Sequence, residues 1–454
     1  MRRMSLAGQR RLFGFGLLGI AGFTIYWYLF STGIPVIWGP SASASEMAAG
    51  RELFEHEWTA NDPLANGDGL GPVFNAKSCV ACHFQGGVGG GGEVGHNATH
   101  FEILPQPGRN EYVTGVLHDF SVNASEQESM ATLKARYPVI KFPPPPPPPP
   151  GHCGYIPTQK PDVDPIRTLS VQTTAMFGIG WIDRISTRAI LHNYRGRAFR
   201  ANISEMKMDF DTIPTGRVSF LADGRIGRFG WKANFATLEE FVAAACANEL
   251  GLGTPTSAQA EPLKQTANHD VPPDLNKKQF ASLMAFCDTL PRPVEIVPST
   301  SSGEQLAKHG KTLFASTGCA TCHVPDIGGV KGVYSDFLLY SLEEPLPNGG
   351  AYGPEPPVEN ARPSWVPRPD EWRTPPLWGV ADSAPYLHDG SASNLQQAIV
   401  RHRRDGKVAG DRYAKLPASE QAALLAFLGT LKAPPDAIPA AQSVNRKKRL
   451  AKNG

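Results

Sequence analysis

The stretch Cys79-Val-Ala-Cys82-His83 places two cysteines three positions apart and a histidine directly after the second. This spacing is typical of a covalently attached c-type haem, in which each thiol adds to a vinyl group and the histidine binds the iron. The same signature returns at Cys319-Ala-Thr-Cys322-His323. For a single motif, a zinc or redox Cys-x-x-Cys site is the alternative. Two matches in one chain predict two covalently bound c-type haems.

The composition of the 454-residue chain limits its partners and its fold. The formal net charge is +2, and no Lys/Arg block alternates with aromatic residues, so a nucleic-acid partner is not expected. Proline (42 residues) and glycine (46 residues) are abundant, which indicates long irregular connections. The cysteines outside the two motifs are Cys153, Cys246 and Cys287. For Cys246 and Cys287, a disulfide and two buried thiols are the alternatives.

The N-terminal segment indicates the cellular compartment. The arginines within residues 2–11 precede an uncharged apolar run over residues 12–30, which is long enough to cross a bilayer as a helix. Because no arginine follows shortly after the run, the N-terminus is expected in the cytoplasm. Residues 1–45 are therefore predicted to be a signal anchor, with the body on the periplasmic side of a bacterial inner membrane. The alternative is a signal peptide cleaved near Ala42-Ser43-Ala44, which would give a soluble periplasmic protein.

Hydrophobic periodicity and helix stop signals predict a mainly α-helical fold with long irregular loops. The predicted helices cover residues 46–60, 125–140, 238–250, 275–290, 303–316, 394–403 and 418–431. A small β-hairpin is expected over residues 217–230, with its turn at Asp223-Gly224. Pro143–Pro150 is an uninterrupted run of prolines, which predicts a stiff polyproline II insertion.

The two halves of the chain repeat each other. Gly50-Arg-Glu-Leu-Phe54 before the first motif matches Gly310-Lys-Thr-Leu-Phe314 before the second, and Leu275–Leu290 matches Leu416–Leu431. The repeat predicts two cytochrome c-like domains. Their expected limits are residues 46–292 for the N-terminal domain with its proline insertion, 303–432 for the C-terminal domain, and 433–454 for a basic disordered tail.

The same repeat predicts different iron ligands in the two halves. In its register, Ala245 of the first half occupies the position of His402 in the second. His402 is therefore predicted to complete a bis-histidine second haem with His323, whereas Ala245 leaves the first haem without this ligand. A solvated His402 in a basic run is one alternative, and His388 as the ligand is another.

An iron with an open position is expected to bind peroxide, whose cleavage needs a group that moves a proton between the two oxygens. Glu239 and Glu240 are the nearest carboxylates by register, and they are equally well explained as first-turn glutamates favoured by the helix dipole. His96 and His100 follow the first motif and are candidates to close the first iron in a resting state. Plain loop histidines are the alternative for both.

These patterns together resemble the bacterial di-haem cytochrome c peroxidase superfamily, and most closely its branch of di-haem oxidoreductases and peroxidases. The resemblance is carried by GLGPVFNAKSCVACH (69–83), GRIGRFGWKANFATLEEFV (224–242), GCATCHVP (318–325) and WRTPPLWGVADSAPYLHDGSASNLQQAIVRH (372–402). It implies a peroxidatic N-terminal haem and a C-terminal haem that relays electrons. It also implies that Glu239 is the distal glutamate, and that Phe229 stands where a distal glutamine is expected.

The resemblance therefore implies an enzyme that takes electrons from a small donor protein or a quinol-linked carrier and reduces hydrogen peroxide. A bound calcium ion and a homodimer are further expectations. Two other functions stay open. One is an electron-transfer cytochrome in which His96 or His100 closes the first haem, and the other is an oxygenase or protein-modifying enzyme that uses the open iron.

Overall fold

The computed structural model describes residues 35–104, 113–141, 162–206, 214–264, 271–342 and 366–440. The proline run, Cys153, the apolar run over residues 12–30 and residues 441–454 of the basic tail lie outside them. In the part of the chain that is described, no helix is long and apolar enough to cross a membrane.

The described helices and strands follow each other in this order. The helices are α1 (Ala44–Glu55), α2 (Met130–Arg136), α3 (Ile179–Asp183), α4 (Thr187–Met206), α5 (Leu238–Glu249), α6 (Lys277–Asp288), α7 (Ser301–Ser316), α8 (Leu395–Val400), α9 (Lys407–Lys415) and α10 (Ala418–Leu428). The strands are β1 (Val73–Phe74), β2 (Ala98–Ile103), β3 (Val113–Leu117), β4 (Phe120–Ser121), β5 (Ile166–Val171), β6 (Leu339–Ser341) and β7 (Glu371–Arg373).

The expectation of a mainly α-helical fold is wrong, and the described residues give no support to the expected N-terminal transmembrane anchor, whose apolar run lies outside them. Helices account for only 36% of the structure and strands for 14%, and no membrane-spanning helix is found among the described residues. Most of the strand residues belong to one antiparallel sheet with the strand order β3-β2-β5. Phe101 and Ile103 of β2 are two positions apart and therefore lie on the same face of the sheet, where they pack on Leu133 of α2. The sheet forms because this alternation lets β2 bury one face against a helix.

The main helices begin at capping residues that were visible in the sequence. Thr237 caps α5 and Asn276 caps α6, each in a capping box that is closed by the side chain three residues later. Helix α1 begins in the same way at Ser43. These local signals place the helices at the ends of the long irregular connections.

Two helix pairs form the frame of the sites, and each crosses at a glycine. α1 packs on α6, and α7 packs on α10. A Cβ atom on Gly50 would lie 1.9 Å from the carbonyl oxygen of Ser282, and one on Gly310 would lie 1.9 Å from that of Ala423. Because neither contact is sterically allowed, glycine is required at both crossings. The repeated Gly-x-x-Leu-Phe stretches therefore encode two equivalent helix crossings.

The region of the predicted hairpin forms a tight turn rather than two regular strands. Phe220 and Ile226 make an antiparallel bridge, and the Leu221 amide donates to the carbonyl of Arg225. Gly224 adopts φ +82° in the turn, a conformation that favours glycine.

The two halves share their largest hydrophobic core. Ile327, Val330 and Phe337 of the second half pack with first-half residues such as Leu53 and Phe286. A smaller core belongs to the second half alone, around Phe427 and its neighbours. The domain limits drawn from the repeat stay a prediction.

Candidate functional site

The histidines of the two motifs have the same hydrogen-bonding environment. Nδ1 of His83 lies 3.0 Å from the carbonyl oxygen of Gly90, and Nδ1 of His323 lies 3.0 Å from that of Tyr334. Because a carbonyl oxygen only accepts, Nδ1 carries the proton in both rings and Nε2 is left with a free lone pair. This is the arrangement that orients a histidine as a metal ligand.

Burial keeps both of these rings neutral. It lowers the pKa of His83 to about 4, although hydrogen bonds to backbone carbonyls act in the opposite direction. Burial also lowers the pKa of His323 to about 4, and the charge of His402 contributes to the lowering. A neutral imidazole is the form that binds iron.

An aromatic pair stands behind each of these histidines. The Phe54 ring centroid lies 6.2 Å from that of His83 and 5.2 Å from that of Phe286. In the second half, Phe314 lies 6.5 Å from His323 and 5.4 Å from Phe427. The repeat thus extends from the sequence to the side-chain packing around each motif.

The motif cysteines lie at partly buried positions and form no disulfide with the described residues. Burial raises the pKa of Cys79, Cys319 and Cys322, so these groups are protonated at neutral pH. Among the described residues, no group of three or more His, Cys, Asp or Glu side chains is arranged to hold a metal ion. A structural zinc site needs four such ligands, and the described residues around the motifs do not offer one. The expected calcium ion stays a prediction.

One cavity of about 510 Å³ opens beside the second motif. Cys319, Cys322, His323 and His402 line it, and its volume lies within the usual range for cofactor pockets. Trp372 is 3% exposed and also lines the cavity, and its Nε1 donor has no hydrogen-bond partner among the described residues. A porphyrin with its carboxylates would fill this space and could satisfy this donor. The residues present therefore fit a haem.

His402 reaches the cavity from a turn rather than from a helix. Helix α8 ends at Val400, and the His402 amide donates to the carbonyl of Ile399 over 3.2 Å. Nδ1 of His402 lies 2.8 Å from the carbonyl oxygen of Ala398, which leaves Nε2 free. Burial also lowers the pKa of this ring. The helical spacing assumed from the repeat differs locally, but the side chain still lines the same cavity as His323.

The corresponding region of the first half is aromatic. Ala245 lies within α5, is partly buried and does not line the cavity. Phe229 and Phe241 stack with ring centroids 6.0 Å apart, and both line the cavity. Phe235 lies 5.5 Å from Phe241. No nitrogen ligand stands at the Ala245 position.

The two candidate carboxylates lie in the first turn of α5 and do not line the cavity. Glu239 is exposed. Glu240 closes the capping box and forms a 2.6 Å ion pair with Arg225. Burial raises the pKa of Glu240, but the hydrogen bond and charge of Arg225 outweigh it, so the pKa lies below its ordinary value. Glu240 therefore stabilises the start of the helix, whereas Glu239 has no ion-pair or hydrogen-bond partner among the described residues. The catalytic role of either glutamate stays a prediction.

The other candidate histidines occupy different places. His96 ends a short 3₁₀ helix, is 4% exposed and meets the edge of Phe84 at 5.2 Å. His100 lies within β2 at the centre of the sheet, and burial lowers its pKa. His388 lines the cavity, but its ring stacks on Trp372 with centroids 3.5 Å apart. A ligand role for these three histidines stays a prediction.

An aromatic cluster in the cavity wall was not visible from the sequence. Trp231 meets the edge of His388 at 6.4 Å and donates Nε1 to the carbonyl of Gln172. Lys232 lies 3.4 Å from the ring centroid of Trp372. The cluster joins segments that are far apart in the chain, so no spacing rule could have found it.

Cys246 and Cys287 are both buried free thiols, so the alternative of a disulfide between them is wrong in this structure. Burial raises the pKa of Cys246 to about 12 and raises that of Cys287 further. Both residues belong to the hydrophobic core against which Cys79 and Cys82 of the first motif pack.

A family model described as "Di-haem oxidoreductase, putative peroxidase" matches residues 164–431. A comparison with curated proteins gives no match. Among solved structures, the chain is similar to hydrazine synthase from Kuenenia stuttgartiensis, with 16% identity, a TM-score of 0.29, and coverage of 44% of this chain and 64% of that one. The chain therefore spans less than two thirds of the hydrazine synthase chain. It is also similar to a MauG-like protein associated with microbial copper homeostasis, with 18% identity, a TM-score of 0.29, and coverage of 48% of this chain and 79% of that one.

Proposed function

Because the chain belongs to the di-haem oxidoreductase family, we propose that it is a peroxidase-like enzyme in which two covalent c-type haems do different work. Cys79 and Cys82 would hold the first haem over His83, and Cys319 and Cys322 the second over His323. When bound, the iron supplies a redox centre that exchanges electrons and binds a small oxygen ligand. The side chains around each haem determine how many coordination positions of its iron stay open.

The observation that carries this proposal is the asymmetry between the two halves. His323 and His402 both line the cavity, each with Nδ1 bound to a carbonyl and Nε2 free. At the position of His402 the first half has Ala245, which has no donor atom. Two histidines around the second haem favour electron transfer, since they leave no position for a substrate. The first haem is then the site of chemistry.

Glu239 is the better candidate for proton handling in peroxide reduction. Glu240 is held by the cap of α5 and by Arg225, so moving a proton through it would break both interactions. Glu239 is exposed and free of such a cap. We expect Glu239→Gln to lower the rate of peroxide turnover by about 10²-fold or more, and Glu240→Gln mainly to weaken the helix cap. Equal turnover of Glu239→Gln and the unmutated protein would remove Glu239 from the mechanism.

The phenylalanines of the first half support a second candidate function. The resemblance implies a distal glutamine at the position of Phe229, and this phenylalanine instead stacks on Phe241 in an apolar wall. An oxygenase that acts on an apolar substrate, or on a protein side chain, would use such a wall. If this second function is correct, oxygen uptake should depend on an added apolar substrate and not on peroxide.

The partners and the compartment follow from the same proposal. Electrons would come from a small donor protein or a quinol-linked carrier. We place the enzyme in the periplasm, since covalent haem attachment takes place outside the cytoplasmic membrane. A homodimer and a bound calcium ion complete the proposal.

The test is stopped-flow spectroscopy of the half-reduced protein mixed with hydrogen peroxide. The proposal predicts a rapid spectral change of the first haem, followed by oxidation of the second. His402→Ala serves as the comparison, since its second haem should change spectrum while the first still reacts. A half-reduced protein whose spectrum does not respond to peroxide would contradict the peroxidase function.

A further inference from the structure

Arg373, at the end of β7, is a buried cation in the wall of the cavity beside the second motif. Its side chain is 6% exposed and lines that cavity. Nε donates to the carbonyl of Gly230 over 2.7 Å, and Nη1 donates to the carbonyl of Thr374 over 3.2 Å. Within the described residues, Nη2 makes no hydrogen bond. The guanidinium is therefore anchored on one side and leaves one edge available.

The charge of Arg373 is not balanced by an adjacent carboxylate. None lies within 4 Å of its guanidinium among the residues that the structure describes. Asp336, the buried carboxylate whose charge acts on Arg373, forms an ion pair with Arg197 and accepts a 2.7 Å hydrogen bond from Tyr340. Burial lowers the pKa of Arg373 to about 10, and the charge of Asp336 partly opposes this, so the group stays charged at neutral pH. Asp336 is therefore already engaged by Arg197 and Tyr340 and forms no ion pair with Arg373.

Burying an unpaired charge is costly, so we expect a negatively charged group to lie beside the Arg373 guanidinium. The rest of the cavity does not supply it. The cavity is lined by several further arginines, namely Arg228, Arg401 and Arg412, and by the single carboxylate Asp405. Asp405 is exposed and accepts a hydrogen bond from the Ser341 amide over 2.9 Å. The cavity therefore suits a ligand that brings its own carboxylates.

A second unpartnered donor lies next to Arg373 in the chain. Nε1 of Trp372 is buried and finds no hydrogen-bond partner in the part of the chain that the structure describes, and the residue lines the same cavity. The ring itself is fixed between neighbours, with His388 stacked at 3.5 Å and the Lys232 ammonium 3.4 Å from its centroid. An indole N–H can only donate, so it matches an acceptor oxygen.

We propose that Arg373 binds a propionate carboxylate of the second haem, with Trp372 as an additional donor, and that it thereby sets the reduction potential of that haem. The inference rests on the proposed function, because it requires a haem held by Cys319 and Cys322. Arginine is suited to this role, since its planar fork matches a carboxylate with two parallel hydrogen bonds. A fixed positive charge in a dry site favours the reduced iron, which carries one positive charge fewer.

The test compares Arg373→Gln and Arg373→Lys with the control Arg368→Gln. Arg368 lies close to Arg373 in sequence, but its side chain is 60% exposed and outside the cavity. We expect Arg373→Gln to shift the redox equilibrium of the second haem toward the oxidised form by about tenfold or more, which is about 59 mV for a one-electron couple. Because solvent and salt screen an exposed charge, Arg368→Gln should change it by less than about twofold. Arg373→Lys should keep most of the potential, since it keeps the charge.

Haem content and the propionate vibration make the outcomes separable. Two covalent haems are first counted by pyridine haemochrome absorbance of the denatured protein, and resonance Raman then follows the propionate bending mode. A shifted mode in both Arg373 variants, with the lowered potential in Arg373→Gln, supports the inference. Two attached haems with an unchanged mode and potential overturn it but leave the proposed function standing. Absence of covalent haem from the unmutated protein overturns both. If Arg373→Gln does not fold, the Raman mode of Arg373→Lys decides alone, and an unchanged mode refutes the inference.

Discussion

Gly310 is the position where the packing of α7 on α10 is most sensitive to a single methyl group. A Cβ atom at Gly310 would lie 1.9 Å from the carbonyl oxygen of Ala423 and 2.9 Å from Cβ of Phe427. Since an ordinary contact begins at 3.4 Å, the helices must part by about 3.4 − 1.9 = 1.5 Å. That gap would loosen the contact between Phe314 and Phe427, whose ring centroids are 5.4 Å apart.

The change in the free energy of unfolding can be worked out from opposing effects. Overpacking of a close helix crossing costs about 3 kcal/mol at the upper end of its usual range, because the obstacle is backbone. Alanine returns about 1 kcal/mol through its better helix propensity. Gly310→Ala is therefore expected to destabilise the protein by about 2 kcal/mol. Gly50→Ala should behave similarly, since its Cβ would lie 1.9 Å from the carbonyl oxygen of Ser282.

Gly196→Ala is the matched control for this prediction. Gly196 lies within α4, and no heavy atom lies within 4 Å of the position of its added Cβ. The same substitution should there stabilise the protein by about 0.5–1 kcal/mol. Urea unfolding followed by circular dichroism measures all three variants. If Gly310→Ala proves as stable as Gly196→Ala, the close crossing inferred from the structure is incorrect.

Further predictions concern buried polar groups outside the cavity. Asp336→Asn leaves Arg197 buried without its carboxylate and should lower the free energy of unfolding by about 3–5 kcal/mol, measured by urea unfolding; a loss below about 1 kcal/mol would show that the pair is not buried. Glu128 is hydrogen-bonded to His118, with 2.9 Å between its Oε2 and Nδ1 of the ring. Burial raises the pKa of Glu128, but the hydrogen bonds and charge of His118 outweigh this, so the folded pKa lies below the unfolded value. Its stabilisation is therefore present above about pH 4.5 and is lost as the pH falls through the folded pKa; Glu128→Gln should flatten the stability profile in that range, and an unchanged slope would contradict this. The high pKa values of Cys246 and Cys287 predict that neither thiol reacts with iodoacetamide at pH 8 until the protein is unfolded, and mass spectrometry would show early labelling if they were accessible.

The helices next to the two motifs could be predicted because their signals are local. Thr237 and Asn276 begin helices at capping boxes, and the repeated Gly50 and Gly310 begin the same Gly-x-x-Leu-Phe pattern in each half. The motif histidines are also equivalent in the two halves, since Nδ1 of each lies 3.0 Å from a backbone carbonyl oxygen. These features depend on neighbours within a few residues, which is what a sequence pattern contains.

The sheet and the cavity wall could not be predicted, since they depend on contacts between distant segments. Ala98 pairs with Val171 across a long connection, so periodicity alone did not identify β2 as a central strand. The charge balance around Arg373 involves Asp336 and Arg197, which meet only in the folded protein. Glu240 illustrates the opposite case, because its capping role was readable locally and competes with the catalytic role inferred from the repeat register.

The central claim is that the two irons have different ligands, and electron paramagnetic resonance of the oxidised protein tests it most directly. We predict a low-spin signal from a second haem bound by His323 and His402, together with a separate signal from the first haem that changes when peroxide is added. In His402→Ala the low-spin signal of the second haem should be lost, while the signal of the first haem is retained. A spectrum that His402→Ala leaves unchanged, or two low-spin haems that do not respond to peroxide after one-electron reduction, would contradict the account.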